Sequence, residues 1–581
     1  MLKRRRLIAV LLALVFVSVL GVAWFFHLRH PQGVHVAGLN AKGLGEVMEK
    51  NKITWRSFVD EGSAGTGPIA TRWNLSATPT MYLLDHKGVI RYKWAGAPGE
   101  EVHDGALQKL IEGAPSRPIT APLKALATNP NYFSDGTGKA IYLTGSHSWN
   151  TLQDWGTNGS IRTLDFRAFV RMLVAHHHNF TLLWGTELPT FHGLPTTADS
   201  PPDFSVTPHP WLRTGPGNAS DGKLKFDLTK SNEAYFDRLR DRVRQLHAAG
   251  IYAGVYLFSG EWIFRFRFSG DGYPFTGSNN VNGIDDGGGT RSVTMTEPNA
   301  ITAVQDAYVR KVIDTLNEFP NVLWIVSQEA PGNSKWWNSH LIAVIRAYEV
   351  GKPLRHPIGY GVLEDSKDAT ILNSDADWIA PAARFFPANR SEGSGNPRRK
   401  VIVSDSDHSY FGMWNESPLE NRKFFWINFT NGNQSLFMDP YLVHYPREKR
   451  NLCPSVVNGI GSEPDPRWEN VRATMGYIRE YSDRMNLAAM TSQGKLSSTG
   501  HVLASTRRPQ REFLVYAPSD GKFTVNLTSQ RGPFAVEWMN PATGGKTIGN
   551  AISGGAPKTF SPPFPGDAIL YLKSDEAARA E

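Results

Sequence analysis

The chain has 581 residues, with 62 Lys and Arg against 54 Asp and Glu and a formal net charge of +8. That length calls for several domains at roughly 100–200 residues each, and a composition of 40% hydrophobic and 20% charged residues excludes disorder over most of it. A single cysteine, Cys453, excludes an internal disulfide framework, a cysteine-based zinc site and a dithiol redox pair.

Residues 1–31 read as a cytoplasmic flank and a transmembrane signal-anchor. Leu7 to Phe26 carries no charge, and a helix of that length crosses a ~30 Å hydrocarbon layer. Lys3, Arg4, Arg5 and Arg6 precede it, which favours a cytoplasmic N-terminus and an extracytoplasmic remainder. A cleaved signal peptide, giving a secreted protein, is the competing reading. This segment and its flank hold five of the eight net positive charges. The rest is close to neutral and lacks basic runs interleaved with aromatics, so nucleic acid is excluded as a partner.

Residues 32–114 alternate short strands and helices: VHVAGL, GLGEVMEK, PTMYLLD, GVIRYKWAG and DGALQKLIEG. The stretch WNLSATPTMYLLDHKGVIRYKWAG resembles the C-terminal half of extracytoplasmic thioredoxin-like proteins. The resemblance makes Thr78-Pro79 the cis-proline turn, Asp85-His86-Lys87-Gly88 the following hairpin turn and Asp104 to Glu112 the last helix. The C-x-x-C helix of that family is absent, and thiolate chemistry needs a thiol. A redox-dead spacer or docking module is expected. Residues 115–126 (PSRPITAPLKAL) read as a proline-rich linker.

From 127 to 489 strands and helices alternate regularly, which argues for parallel β/α architecture. Strands are predicted at 140–145, 181–185, 252–258, 322–327, 358–362, 378–383, 401–405 and 435–439, with helical patterns such as DFRAFVRMLVAHH and EAYFDRLRDRVRQLHAAG between most of them. Eight such repeats fit a (β/α)8 TIM barrel with long insertions. A doubly wound sheet is the runner-up, but no glycine-rich phosphate loop follows an early strand. GIDDGGGT, in the insertion after the third strand, reads as a lid or turn. From 490 to 574 the pattern turns to short strands (REFLVYAPS, KFTVNL, FAVEWMNP, DAILYLK), as in an antiparallel β-sandwich, and 575–581 is a tail.

Barrel chemistry sits at the C-terminal strand ends. Glu187, Glu329, Asp405, Asp407 and Asp439 fall there, after or at the ends of strands two, four, seven and eight. Carboxyls on strands four and seven suit glycoside hydrolysis, one protonating the leaving oxygen and the other attacking the anomeric carbon from about 5–5.5 Å. The segments AIYLTGSHSWNTLQDWG, HHHNFTLLWGTE, SQE, SDSDHSYFG and FMDPY resemble a family of glycoside-hydrolase-like barrels. Those proteins often carry a C-terminal module labelled, by similarity, as a collagen-binding domain of a collagenase. More distantly the barrel is similar to clan A glycosidases.

The resemblance implies Glu329 as acid/base and Asp405 as nucleophile, with Asp407 as the alternative second acid. It implies His147, Trp149, Asn150, Gln153, Asp154, Asn179, Trp184, Glu187, Gln328 and His408 as cleft residues. It also implies a carbohydrate substrate, with a glycan or matrix-like protein as partner of the C-terminal module. Gln328 stands where clan A has Asn, and Asp405 is one methylene shorter than the usual Glu. The shorter arm widens the gap between the acids and leaves inversion through a water open beside retention.

His176, His177 and His178 suggest a metal cluster, but consecutive helical residues diverge, so they are read as closing a helix at its negative end. No spacing requires a metal or cofactor. Trp149, Trp155, Trp184, Trp262 and Trp324 are candidates for sugar stacking, with Trp324 read as core. The absence of G-x-S-x-G and H-E-x-x-H disfavours a serine hydrolase and a zinc protease. The non-enzymatic alternative is an inactive barrel serving as a glycan- or matrix-binding adhesin.

Overall fold

The segments YAGVYLFS and VLWIVSQ are buried at every position, the pattern of strands covered on both faces. The computed structural model describes residues 119–157, 160–192, 203–364, 369–382, 400–406, 417–439, 441, 468–506 and 511–574, with shorter stretches between 33 and 110. The chain divides into two compact units, Met1–Pro115 and Ser116–Glu581.

In the first unit, Gly33–His35 pairs in parallel with Ser57–Val59, and Thr80–Leu84 pairs antiparallel with Ile90–Ala95. The expected membrane anchor, the Thr78-Pro79 and Asp85–Gly88 turns and most of the expected last helix lie outside the described residues. Among the described residues no helix is long and apolar enough to cross a membrane.

The second unit is built around eight parallel strands. These are β1 (Thr144–His147), β2 (Phe180–Leu183), β3 (Tyr252–Ser259), β4 (Val322–Gln328), β5 (Ile358–Tyr360), β6 (Trp378–Ile379), β7 (Val401–Asp405) and β8 (Gln434–Met438). They are hydrogen-bonded in the order β2-β3-β4-β5-β6-β7-β8-β1. The first strand starts later than the sequence pattern predicts, because Ile141 is taken by an antiparallel bridge to Phe133.

Among the described residues a helix follows every strand but β6: α1 (Phe166–Ala175), α2 (Glu233–Ala248), α3 (Ala300–Leu316), α4 (Lys335–Glu349), the short α5 (Ala369–Leu372), α6 (Pro418–Thr430) and α7 (Glu469–Arg484). Their starts are written locally. Asp165 caps α1 by accepting from the Ala168 N–H, Asn299 and Thr302 form a capping box on α3, and Ser417 with Pro418 opens α6. The alternation and the strand order are those of a (β/α)8 barrel.

β1 meets β2 through side chains more than through a backbone ladder. The Thr144 N–H donates to Asn179 Oδ1 (2.9 Å), the Ser146 N–H to His178 Nδ1 (3.2 Å), and Thr181 Oγ1 to the Ser146 carbonyl (2.8 Å). Gly145 permits the approach, since a Cβ there would lie 2.1 Å from the Phe180 carbonyl oxygen. Across the ring, Phe180 of β2 touches Trp378 of β6 (6.4 Å between centroids), so the barrel is filled.

The C-terminal segment forms two antiparallel sheets. The larger has six strands, in the order Thr491–Ser492, Val502–Ser505, Glu512–Ala517, Ala568–Ser574, Pro533–Met539 and Lys546–Ser553. The smaller pairs Phe523–Asn526 with Pro557–Phe560. Both contribute to one apolar core that includes Phe513, Phe534, Phe523 and Phe560. A second cluster joins α6 and α7 to the larger sheet through Phe425, Trp426, Tyr481, Tyr516, Ile569 and Tyr571. α6 is buried on most sides, polar residues such as Asn421, Arg422 and Asn428 included, because the barrel covers one side and the sheet the other. Arg422 of α6 grips Asp567 at 2.7 and 3.2 Å, and Tyr516 Oη donates to the same carboxylate.

Candidate active site

β1 ends on His147 and β7 on Asp405, with β8 between them, so a contact between the two side chains crosses the inside of the ring. His147 Nε2 lies 2.9 Å from Asp405 Oδ1, and both side chains are buried. From the other side the Trp184 indole N–H donates to His147 Nδ1 at 3.0 Å. The two rings are nearly coplanar (13°), as an in-plane hydrogen bond requires. Tyr256 of β3 packs on Trp184 at 4.8 Å. Four strands thereby build one layer at the C-terminal end of the barrel.

Next to it, Glu187 accepts from Ser259 through the hydroxyl (2.7 Å) and the backbone N–H (3.3 Å). Burial pushes its carboxyl up to about 7, and the Ser259 bonds only partly oppose that. Ser259 stands opposite Gln328 in the β3–β4 register. Beyond it Gly260 lies against Ala330, where a Cβ would come within 2.4 Å of the Ala330 Cα. Glu329, between Gln328 and Ala330, has φ 38°, left-handed backbone that a residue with a Cβ seldom adopts. Strain of that kind gathers at functional positions. Glu187, Gln328 and Glu329 therefore share one part of the rim, held together by Ser259 and Gly260.

The arrangement, with acids at the ends of β4 and β7 of a parallel barrel, can now be set against known proteins. The fold is similar to that of solved glycoside hydrolases. A glycoside hydrolase family 5 structure from Bacteroides vulgatus matches with a TM-score of 0.52 at 11% identity, covering 80% of this chain and 96% of that one. A second glycoside hydrolase structure from the same organism gives 0.51 at 15% identity, with 79% and 83% covered. Another structure described as a glycoside hydrolase gives 0.50 at 11%, with 78% and 97% covered. At these identities the likeness is one of fold. No family model matches the chain, and no curated protein matches it in sequence.

Other residues singled out in the sequence belong to the framework. Gln153 donates to the carbonyls of Thr186 and Pro208 and accepts from the Thr186 N–H. Asp154 pairs with Arg238 at 2.8 Å. Asn179 links Thr144 and the Tyr142 carbonyl across the β1–β2 seam. Asn150 is buried and accepts from Ser148 Oγ at 3.3 Å. Asp439, an acid at a strand end like Asp405, is clasped by Arg472 of α7 with two 2.7 Å bonds, both side chains wholly buried. Asp407 and His408 lie outside the described residues.

The histidine run closes α1 as expected. His176 is its C-cap, His177 turns at φ 58°, and His178 Nε2 donates to the Arg472 carbonyl. Burial lowers His178 well below the ordinary imidazole value. Among the described residues no group of three His, Cys, Asp or Glu could hold a metal ion.

The sugar-stacking expectation is corrected for four of the five tryptophans. Trp155 and Trp262 pack edge-to-face at 5.1 Å within an aromatic cluster with Phe191, and Trp184 is buried, with His147 at its edge and Tyr256 packed on it. Trp324 is core, its N–H given to Glu349. Trp149 is also buried. Sequence reasoning missed Ser259 and Tyr256. Ser259 was legible as the first polar residue after the apolar run YAGVYLF, whereas Tyr256 looked like one more core residue.

Proposed function

We propose that the chain is a glycoside hydrolase that cleaves a glycosidic bond in a poly- or oligosaccharide through two carboxyl groups. The observation that carries this reading is the pair of acids ending β4 and β7, one of them, Glu329, held in left-handed backbone. Glu329 protonates the leaving oxygen. Asp405 supplies the second carboxylate, as nucleophile in a retaining reaction or as base toward a water in an inverting one, and Asp407 is the alternative to it. Glu187, partly protonated near neutral pH through its raised pKa of about 7, offers a hydroxyl-like donor on the same part of the rim as Glu329. No residue is assigned to a metal or cofactor.

Glu329→Gln and Asp405→Asn are the test. Each is expected to lower sugar release from a glycan panel by ~10²–10⁴-fold, the ordinary size of an acid/base contribution, while glycan binding persists. Product anomers followed by NMR then distinguish retention from inversion. Release unchanged by both substitutions refutes the assignment, and a wild-type chain that binds a glycan and cleaves none favours an adhesin.

In the same reading Leu7–Phe26 anchors the protein in the membrane with the barrel outside the cytoplasm, which protease protection in sealed cells would check. The segment 32–114 serves as a thioredoxin-like module without redox chemistry. The C-terminal sheets, akin to the collagen-binding-labelled module, brace α6 and α7 and offer a surface to glycan or matrix-like protein.

A further inference from the structure

The chemistry of the bonds around His147 determines more than their distances do. An indole N–H can only donate, so His147 Nδ1, 3.0 Å from Trp184 Nε1, is an acceptor and carries no proton. The one proton of the neutral ring is then on Nε2, where it donates to Asp405 Oδ1 at 2.9 Å. A proton added to Nδ1 would set two donors face to face in a site closed to water, at the cost of a buried hydrogen bond. The backbone is fixed as well, because the Asp439 N–H donates to the His147 carbonyl at 2.8 Å.

We infer that His147 is a positioning residue, locked by Trp184 in the neutral Nε2–H tautomer, and that it orients the Asp405 carboxylate without neutralising it. A cationic imidazolium against Asp405 would form an ion pair and blunt the carboxylate as nucleophile or base. A neutral donor holds the rotamer and leaves the full negative charge on Asp405. The groups around the ring fit this division. Asp405 faces it from β7, Trp184 from beyond the end of β2, and Tyr256 of β3 stands behind Trp184. The nearby acids are engaged elsewhere, Asp439 by Arg472 and Glu187 by Ser259.

The role presupposes the glycosidase reading, whereas the tautomer does not, and two measurements separate them. Side-chain 15N resonances of His147, assigned by difference with His147→Gln, are expected to show protonated Nε2 and bare Nδ1. On a substrate found in the glycan panel, kcat of Trp184→Phe should fall about tenfold, with KM changed far less. His147→Gln, which keeps an amide donor, should retain more kcat than His147→Leu, which keeps none. A proton on Nδ1 in the wild type, an unchanged kcat in Trp184→Phe, or equal losses in the Gln and Leu variants would each overturn the proposal. A wild-type chain that cleaves nothing would remove the glycosidase reading while the resonances still decide the tautomer.

Discussion

Replacing Glu187 by Gln tests the electrostatics of the rim without any substrate. The carboxyl is buried, held by Ser259, and raised from 4.5 to about 7. A carboxyl whose folded pKa lies above its unfolded value holds its proton more tightly when folded. Its contribution to stability is fully present below pH ~4.5 and is lost as pH rises through 7. At ~1.4 kcal/mol per pH unit, that rise amounts to roughly 3 kcal/mol. Gln keeps the carbonyl acceptor for the Ser259 hydroxyl but has no proton to lose. The substitution should therefore be nearly neutral at pH 4 and stabilising by roughly 3 kcal/mol at pH 8. Urea unfolding of both proteins at the two pH values, followed by tryptophan fluorescence, reads the difference. An equal effect at pH 4 and pH 8, or a loss of stability at pH 8, would refute the picture of a neutral carboxyl held dry by its surroundings.

Removing Asp439 by Asp439→Ala should destabilise by ~3 kcal/mol, because the buried Arg472 loses both short bonds and keeps the longer contact to Glu469 at 3.7 Å. The double variant Asp439→Leu/Arg472→Met should recover much of that loss in thermal unfolding. Gly145→Ala should prevent normal closure of the barrel, since the new methyl would meet the Phe180 carbonyl at 2.1 Å, and the expected readout is a large drop in soluble yield or melting temperature. Glu329→Gly relieves left-handed strain of ~1–3 kcal/mol. It should hold or raise the melting temperature while sugar release is lost. A chain ending at residue 489 uncovers Trp426, Tyr481 and their neighbours and should aggregate on expression, which gel filtration would show.

Eight strands were legible because parallel barrel strands are covered on both faces and so read as apolar runs such as VLWIVSQ. Short β5 and β6 were found at the right place, though with overlong ends, because a Pro, Gly and Ala-rich continuation carries no sharp stop signal. Acids at strand ends were equally legible, but what each one faces was not. Asp405 and Asp439 look alike in sequence, and only the fold gives one a histidine 258 residues away and the other an arginine. Pairing of that kind is a property of closure, which local periodicity does not encode. Asn179 illustrates the same limit, since the resemblance implies a cleft residue and the structure has it span the seam.

That seam has a consequence for how the chain reaches its native state. Ladder bonds between strands accept any residue, so a strand can slip along its neighbour and still pair. Between β1 and β2 the joining groups are the Asn179 amide, the His178 ring and the Thr181 hydroxyl, and each finds its partner in one alignment only. The last joint of the ring thus proofreads the other seven. A barrel assembled one residue out of step presents the wrong atoms there and stays open, exposed to proteases and chaperones until it rearranges.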